Sequence, residues 1–412
     1  MAQEAPQEPQ ADEGAAIIVT GTRATGMQAA ESAAPVQVFG EEALSHVGQP
    51  NLNQALTQMV PSFTAQTQGT DMSNFSLSAR LRGLSPNHTL VMVNGKRRHG
   101  SAILQVIAGP FQGSAAPSID LIPPDAVSRI EVLQDGAAAV YGTDAIAGAI
   151  NMILKDDSEG GSFKVTGGQY YNSEGELFSA SGNVGFKLGE DGFFNLTGFH
   201  RRQNYTSTGT GQVTMSDIDG NPYVPTAGTY PGSFGSTNNY YDPAWAGLDL
   251  NGINGGQAKS QLNLLFYNMG YDFGGVELYS FGDVSRRVGY AKQGYRPPNR
   301  ICASTTDTST CFGDTGTFGM VPQQKVEQKE YSFTVGAKGE FGGGWNYDVS
   351  TTYGYDQNKI WTIESAHRAM WIESYTAAQN DSSITPYTPT DAYDGGFNTL
   401  RGRPTWHAES RL

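Results

Sequence analysis

The sequence has few charged residues and no long apolar run. Charged residues make up 16% of its 412 residues, and no stretch is apolar over the roughly 20 residues that a membrane-spanning helix needs. The charges present are mostly acidic, with 40 Asp and Glu against 26 Lys and Arg, for a net charge of -14. This balance argues against nucleic-acid binding, because phosphate recognition requires clustered Lys and Arg.

Motifs for catalysis and metal binding are also missing. The six histidines are scattered, and there is no HExxH, no GxSxG and no paired carboxylate with a general-acid partner. Asp217–Asn221 resembles the start of a calcium loop, but Pro222 and Gly228 stand where such a loop needs glycine and glutamate. We therefore expect a polar turn there, and we predict no enzymatic activity, no cofactor and no metal site.

The sequence is rich in glycine and aromatic residues, and beyond Gly160 it alternates. There are 52 glycines and 11% aromatics, and successive segments place apolar or small residues on one face and polar residues on the other. In a membrane β-barrel only every second residue faces lipid, so mean hydropathy stays modest. The predicted strands lie near residues 162–171, 178–188, 193–205, 258–273, 276–288, 331–341 and 345–355.

The connections between these strands alternate in length. Short, glycine-rich turns at 189–192, 274–275 and 342–344 alternate with long polar connections at 206–257, 289–326 and 359–412. Short turns on the periplasmic side and long loops on the outer side are typical of transmembrane barrels. A soluble β-sandwich has no reason to segregate its loops in this way.

The first 156 residues are different, with short elements separated by loops. Val36–Phe39 is predicted to be a strand and Asn51–Met59 a short helix with one apolar face. Ile130–Leu133 and Ala149–Leu154 are predicted to be strands joined by a glycine-punctuated turn segment. These elements indicate a compact domain.

The N-terminal segment has no predicted partner within the chain. Residues 1–15 are rich in Gln, Glu, Pro and Ala and are expected to be disordered. The next residues, Ile17, Ile18, Val19 and Thr20, have high strand propensity. This segment has two interpretations. It is either an exposed segment that adds as a strand to the edge of another protein's sheet, or the ordinary first strand of the domain.

Several short motifs in the first 155 residues occur in a specific order and spacing. They are Ala16–Arg23 (AIIVTGTR), Leu81–Leu84 (LRGL), Thr89–Lys96 (TLVMVNGK), Ile119–Pro124 (IDLIPP) and Ile130–Lys155. One such motif alone would be non-specific, but together they resemble the plug domain of TonB-dependent outer-membrane receptors.

The resemblance implies a mainly β protein with a small α+β plug domain followed by part of a transmembrane antiparallel β-barrel. It divides the chain into a disordered segment at 1–15, a TonB box at 16–23, a plug at 24–156 and a partial barrel of about seven strands at 157–412. A complete barrel of this family resembles the 22-stranded class. We therefore expect the sequence to be truncated at its C-terminus, and we expect an export leader to have been removed.

The resemblance also implies a function and a location. We expect a receptor in the outer membrane of a Gram-negative bacterium, in contact with outer-membrane lipid, that imports a scarce extracellular ligand such as a ferric siderophore. TonB, with its inner-membrane energising complex, would bind Ile17, Ile18, Val19, Thr20 and Gly21. The alternatives are import of oligosaccharide or cobalamin, a ligand-sensing signalling receptor, a passive porin, and a soluble secreted β-protein that binds carbohydrate.

Three sets of site residues follow from the resemblance. In the family, two plug arginines pair with barrel glutamates and lock the plug in place. Here Arg82 occupies the first position and Gln134 the second, with the glutamates expected beyond Leu412; the alternative is that Arg82 is a solvated strand-end residue. The plug loops at 64–76 and 97–118 supply the ligand-binding candidates, which are Gln68, Asn74, His99, Gln105 and Gln112.

Cys302 and Cys311 are the third set. An exported chain meets an oxidising compartment, which favours a disulfide between them. A metal site is less favoured, because no histidine lies within ten residues of either cysteine.

Overall fold

A computed structural model describes most of the chain. The described residues are 36–49, 51–64, 74–104, 112–136, 138–206, 256–293, 296, 301–304, 308–313, 320–342 and 344–410. The segment 16–23, Gln68 and Gln105 lie outside these residues.

Residues 36–155, called the plug below, are built on a five-stranded mixed sheet. Its order is β1-β4-β5-β2-β3, in which β2 and β5 are parallel and the other pairs antiparallel. Strand β1 lies at one edge of this sheet and is the first strand among the described residues. The strands are β1 (Val36–Gly40), β2 (Thr89–Val93), β3 (Lys96–Arg97), β4 (Val127–Leu133) and β5 (Gly148–Leu154).

Three helices complete the plug: α1 (Glu41–Val47), α2 (Leu52–Met59) and α3 (Ala138–Tyr141). The helix predicted over Asn51–Met59 is confirmed as α2. The Asn51 side chain caps this helix, because it accepts a hydrogen bond from the amide of Gln54 at 2.8 Å. The glycine-punctuated turn segment predicted between β4 and β5 also contains a short helix that was not predicted. Its Ala-rich stretch forms α3, which is followed by Gly142, with φ 87°.

The second part of the chain, called the wall below, is an eight-stranded antiparallel meander. Each strand pairs with the next along the chain. The strands are β6 (Gly161–Gly168), β7 (Leu177–Leu188), β8 (Gly192–Gln203), β9 (Lys259–Asp272), β10 (Val276–Lys292), β11 (Gln323–Phe341), β12 (Trp345–Ile363) and β13 (Ala392–Ser410).

Most strands of the wall are polar inside and apolar outside; β9 is an exception, because Leu262, Leu264 and Phe266 are buried on its inner face and pack with the plug core. On β7, Ser179, Ser181 and Asn183 are buried, whereas Phe178 and Phe186 are each 48% exposed. A soluble sheet would bury the phenylalanines instead. The polar face packs on the plug and the apolar face is left for lipid, as expected for a transmembrane barrel.

The prediction of a polar loop over 359–412 is wrong. Strand β12 continues to Ile363, and helix α4 (Arg368–Asn380) and strand β13 follow, so eight wall strands lie within the described residues, where about seven were expected. Strand β13 contains several glycines and Pro404, which hide its alternation; proline is compatible with an edge strand. Among the described residues, no helix is both long and apolar enough to cross a membrane.

Candidate functional site

One plug segment, residues 94–104, makes several contacts with the wall and is called the strap below. It follows β2 and extends along the inner face of β9 to β12. Asn94 donates to Asn268 at 3.2 Å near its start, and Lys96 pairs with Asp348 at 2.7 Å. The strap therefore joins the far edge of the plug sheet to the wall.

The Arg98 cluster consists of Arg98, His99, Asp283 and Glu330, all buried. The Arg98 guanidinium donates to both carboxylate oxygens of Asp283, at 3.0 and 3.1 Å, and also to Glu330. The His99 ring lies 3.3 Å from Glu330 through Nε2. A guanidinium and an imidazole of the strap thus meet two carboxylates of the wall.

The wall carboxylates favour the charged forms of Arg98 and His99 in spite of burial. Burial opposes the charge of Arg98, but Asp283 and Glu330 outweigh it and raise the pKa of the guanidinium. Burial also disfavours the charged form of His99, but Glu330 outweighs it and raises the pKa of the imidazole. The wall carboxylates therefore favour the protonated form of His99.

The Asp120 cluster consists of Asp120 of the plug with Arg201 and Arg287 of the wall. Arg201 donates to both carboxylate oxygens at 2.8 and 2.7 Å, and Arg287 donates to one at 2.7 Å. The two arginines converge because both lie opposite Leu262 of β9, one on each neighbouring strand. Burial opposes ionisation of Asp120, but the two guanidiniums outweigh it and hold the pKa of this carboxyl below its usual range.

Asp356 of β12 anchors the outer part of the strap. Its carboxylate accepts hydrogen bonds from the Ala102 amide at 2.7 Å and the Ser101 hydroxyl at 3.1 Å. The lack of a side chain at Gly354 makes room for the strap, because a Cβ there would collide with the ring of His99.

Arg82 and Gln134 lie elsewhere. Arg82 donates to the carbonyl of Ile146 at 2.9 Å, and its guanidinium lies 3.9 Å from Asp135. Gln134 donates to Gln37. All these partners belong to the plug, so the predicted pairing with barrel glutamates stays a prediction.

The ligand-binding candidates are separated by the structure. Asn74 and His99 are buried, and His99 belongs to the Arg98 cluster. Gln112 is exposed. Gln68 and Gln105 lie outside the described residues.

The sequence analysis missed the charged residues that seat the plug. They are Arg98, Asp120, Arg201, Asp283, Arg287, Glu330 and Asp356. A signal was present: on β10 and β11 the charges Asp283, Arg287 and Glu330 fall on the polar face of membrane-length strands. Charges at such positions usually pair within the protein.

Cys302 and Cys311 form a disulfide within the long connection between β10 and β11, as predicted. The indole of Trp371 in α4 donates to the carbonyl of Thr310 at 2.8 Å, and its ring packs edge-on against Phe312 at 5.4 Å. In the ranges described by the structure, no group of three or more His, Cys, Asp or Glu is arranged to hold a metal ion.

Comparison with known proteins gives the family. Residues 28–149 match the family model of the TonB-dependent receptor plug domain. An iron-regulated outer membrane virulence protein of Vibrio cholerae is 33% identical over 129 residues, which are 31% of this chain and 18% of that protein. Residues 28–149 are therefore a plug domain of the TonB-dependent receptor type. The receptor is an outer-membrane protein, as the sequence predicted.

Two further comparisons extend past the plug. The ferrienterobactin receptor of Escherichia coli is 25% identical over 285 residues, or 66% of this chain and 31% of that receptor. A ferric enterobactin receptor mutant of Pseudomonas aeruginosa, solved with enterobactin, has a TM-score of 0.51 at 18% identity and covers 80% of this chain. This confirms the fold. The chain spans less than a third of the curated relatives' length and 42% of the solved structure.

Proposed function

We propose that the receptor imports a scarce ligand, such as a ferric siderophore, through energy coupling to TonB. The observation that supports this most is the seating of a plug, built on its own sheet, against the inner face of the wall through buried charge clusters. A passive pore needs no such plug. The names of the relatives, which include a ferrienterobactin receptor, support the ligand class.

The coupling step begins at the N-terminus. TonB takes Ile17, Ile18, Val19, Thr20 and Gly21 as an added strand, with main-chain hydrogen bonds providing most of the affinity. Force applied there reaches β1 first, because β1 is the edge strand and pairs only with β4 in the plug sheet. The strap at the opposite edge stays on the wall, so the plug is remodelled from one side.

The parts of the chain have separate roles in this scheme. Residues 1–15 are a leader to the TonB box at 16–23, the plug occupies 24–156, and 157–412 contribute to the barrel. Ligand binding involves the plug loops at 64–76 and 97–118, where Gln112 is exposed. Arg82 and Gln134 would complete the lock through pairing with barrel glutamates.

The coupling proposal is tested by Val19→Pro in the complete receptor. Proline removes one main-chain donor from the strand that TonB would add. We expect loss of energy-dependent uptake of radiolabelled ligand, with ligand binding to cells unchanged. Ala11→Pro is the matched control, because it places a proline in a segment already rich in proline.

Unchanged uptake by the Val19→Pro receptor would exclude this coupling segment. The ligand class is tested separately, by growth of a deletion strain on single iron, cobalamin or oligosaccharide sources. Growth that depends on the receptor only with cobalamin or glycan would exclude the siderophore and leave the coupling proposal intact.

A further inference from the structure

The two plug loops that are proposed to bind ligand end in one small unit. Residues 75–78 lie at the end of the first loop, and residues 118–120 lie at the end of the second. The Ile119 amide donates to the Leu77 carbonyl at 3.1 Å, and a β-bridge reinforces this main-chain contact. The two short segments are together called the loop base below.

One side chain of the wall, Arg287 of β10, holds both segments of the loop base. Its guanidinium donates to the Phe75 carbonyl at 2.8 Å through Nη1 and to the Asp120 carboxylate at 2.7 Å through Nη2. The Arg287 side chain is only 1% exposed, so water does not compete for these contacts. Because the guanidinium is planar and rigid, the two contacts fix the segments relative to each other and to the wall.

The ring of Phe75 also has a defined place on the wall. It is buried in an apolar cluster with Ile103 of the strap and with residues of the wall. Gly289 lies two positions after Arg287, on the same face of β10, and a Cβ at Gly289 would collide with the Phe75 ring. The wall therefore receives the main chain of Phe75 at Arg287 and its ring at Gly289.

Arg201 of β8 resembles Arg287 but lacks one of its contacts. It is buried and donates to Asp120 at 2.8 and 2.7 Å. Among the described residues, no hydrogen bond joins Arg201 to Phe75. Both arginines therefore neutralise Asp120, whereas Arg287 also holds the end of the first loop.

We propose that Arg287 is a positioning residue for ligand binding, because it presents the two plug loops in a fixed arrangement. This proposal rests on the function proposed above, in which these loops bind the ligand. A binding surface built from two loops loses affinity when the loops move independently, since the ligand must then order them. Arg287 lowers this cost, because one guanidinium holds the ends of both loops before the ligand arrives.

The test compares Arg287→Lys with Arg201→Lys in the complete receptor, without ligand, by hydrogen–deuterium exchange and mass spectrometry. The lysine ammonium is a compact point charge, so it can hold Asp120 or the Phe75 carbonyl but cannot bridge them as the guanidinium does. We expect Arg287→Lys to raise exchange in residues 74–81 roughly tenfold. Arg201→Lys is the matched control and should leave these residues unchanged. No rise in Arg287→Lys, or an equal rise in both variants, would overturn the positioning role.

A second variant, Gly289→Ala, tests the same contact without changing Arg287. Its added Cβ displaces the Phe75 ring and should raise exchange in residues 74–81. Gly198→Ala on β8 is its control, because a Cβ there would meet nothing within 4 Å. Unchanged exchange in Gly289→Ala would overturn the placement of the loop base against this part of β10. Heat-modifiable migration on gels confirms that each variant is folded.

The affinity of the same variants for ferric enterobactin connects the loop base to ligand binding. We expect Arg287→Lys to bind roughly fivefold more weakly than the wild type, and Arg201→Lys to bind equally well. Unaltered affinity of Arg287→Lys in spite of raised exchange would overturn its role in ligand binding. No binding by the wild-type receptor would count against the proposed ligand class instead, and the exchange comparison, which uses no ligand, would still decide whether Arg287 positions the loops.

Discussion

The two buried charge clusters between plug and wall have opposite polarity. In the Arg98 cluster the plug supplies the cations and the wall the carboxylates, whereas in the Asp120 cluster the plug supplies one carboxylate and the wall two arginines. A plug seated in another rotation would bring Arg98 towards Arg201 or Arg287. We infer that the reversed polarity selects one orientation of the plug, since buried ion pairs contribute more to specificity than to net stability in some proteins.

The clusters also differ in how they tolerate the loss of a partner. A carboxylate left alone in a buried site can take up a proton, but arginine stays charged at any ordinary pH. Loss of Asp120 leaves two permanent charges facing each other. Loss of Arg98 leaves two carboxylates that protonation can neutralise. The Asp120 cluster is therefore the more sensitive of the two.

The largest expected effect is that of Asp120→Ala. It should lower the free energy of unfolding of the plug by about 3–5 kcal/mol, because it leaves Arg201 and Arg287 buried without a partner. Arg98→Ala should have a smaller effect, which decreases further as the pH falls. Urea titration of the complete receptor, followed by near-UV circular dichroism, measures both.

Asp135→Ala is the control for Asp120→Ala, because the Asp135 side chain is a plug carboxylate that is 65% exposed. Its expected effect is about 1 kcal/mol or less. If Arg98→Ala destabilised the receptor more than Asp120→Ala at neutral pH, the Arg98 cluster would be the more sensitive of the two clusters, contrary to expectation.

An effect of intermediate size is expected from His99→Gln, and it should depend on pH. Because Glu330 raises the pKa of His99 in the folded protein, the charged form stabilises the fold fully below the unfolded-state pKa of about 6.5. That contribution is lost as the pH rises through the folded-state pKa. The wild-type receptor should therefore exceed the variant in stability at pH 6, and the difference should shrink towards pH 9.

The measurement is the same urea titration, repeated across this pH range. Asp120 serves as an internal reference, because its pKa is lowered and its stabilising contribution is lost only as the pH falls into the acid range. A difference between wild type and His99→Gln that stays constant from pH 6 to pH 9 would contradict a charged His99.

Local sequence patterns predicted many of the helices and strands. Contacts between residues far apart in the sequence could not be predicted in this way. The alternation of apolar and polar residues in Tyr331–Phe341 identified β11. The first part of this strand, from Gln323, was missed because nearly all of its residues are polar and show no such alternation. The helix α2 followed from its apolar face. Strand β13 was not predicted, because glycines interrupt its alternation of apolar and polar residues.

The site was harder to predict for a physical reason. Arg98 and Glu330 are separated by 232 positions, and neither residue shows its partner in its local sequence. Buried pairing of this kind depends on how two domains dock. The resemblance to a family directed attention to Arg82 instead, whose contacts here are all within the plug.

The smallest expected effect is that of Arg82→Ala in this chain. Its side chain is 41% exposed, and its ion pair with Asp135 spans 3.9 Å, so its loss should change the free energy of unfolding by about 1 kcal/mol or less. The same substitution in a receptor with further barrel strands should cost more if Arg82 pairs with glutamates there. Equal, small effects in both proteins would show that Arg82 is a solvated residue, and the seating of the plug would then depend on the Arg98 and Asp120 clusters.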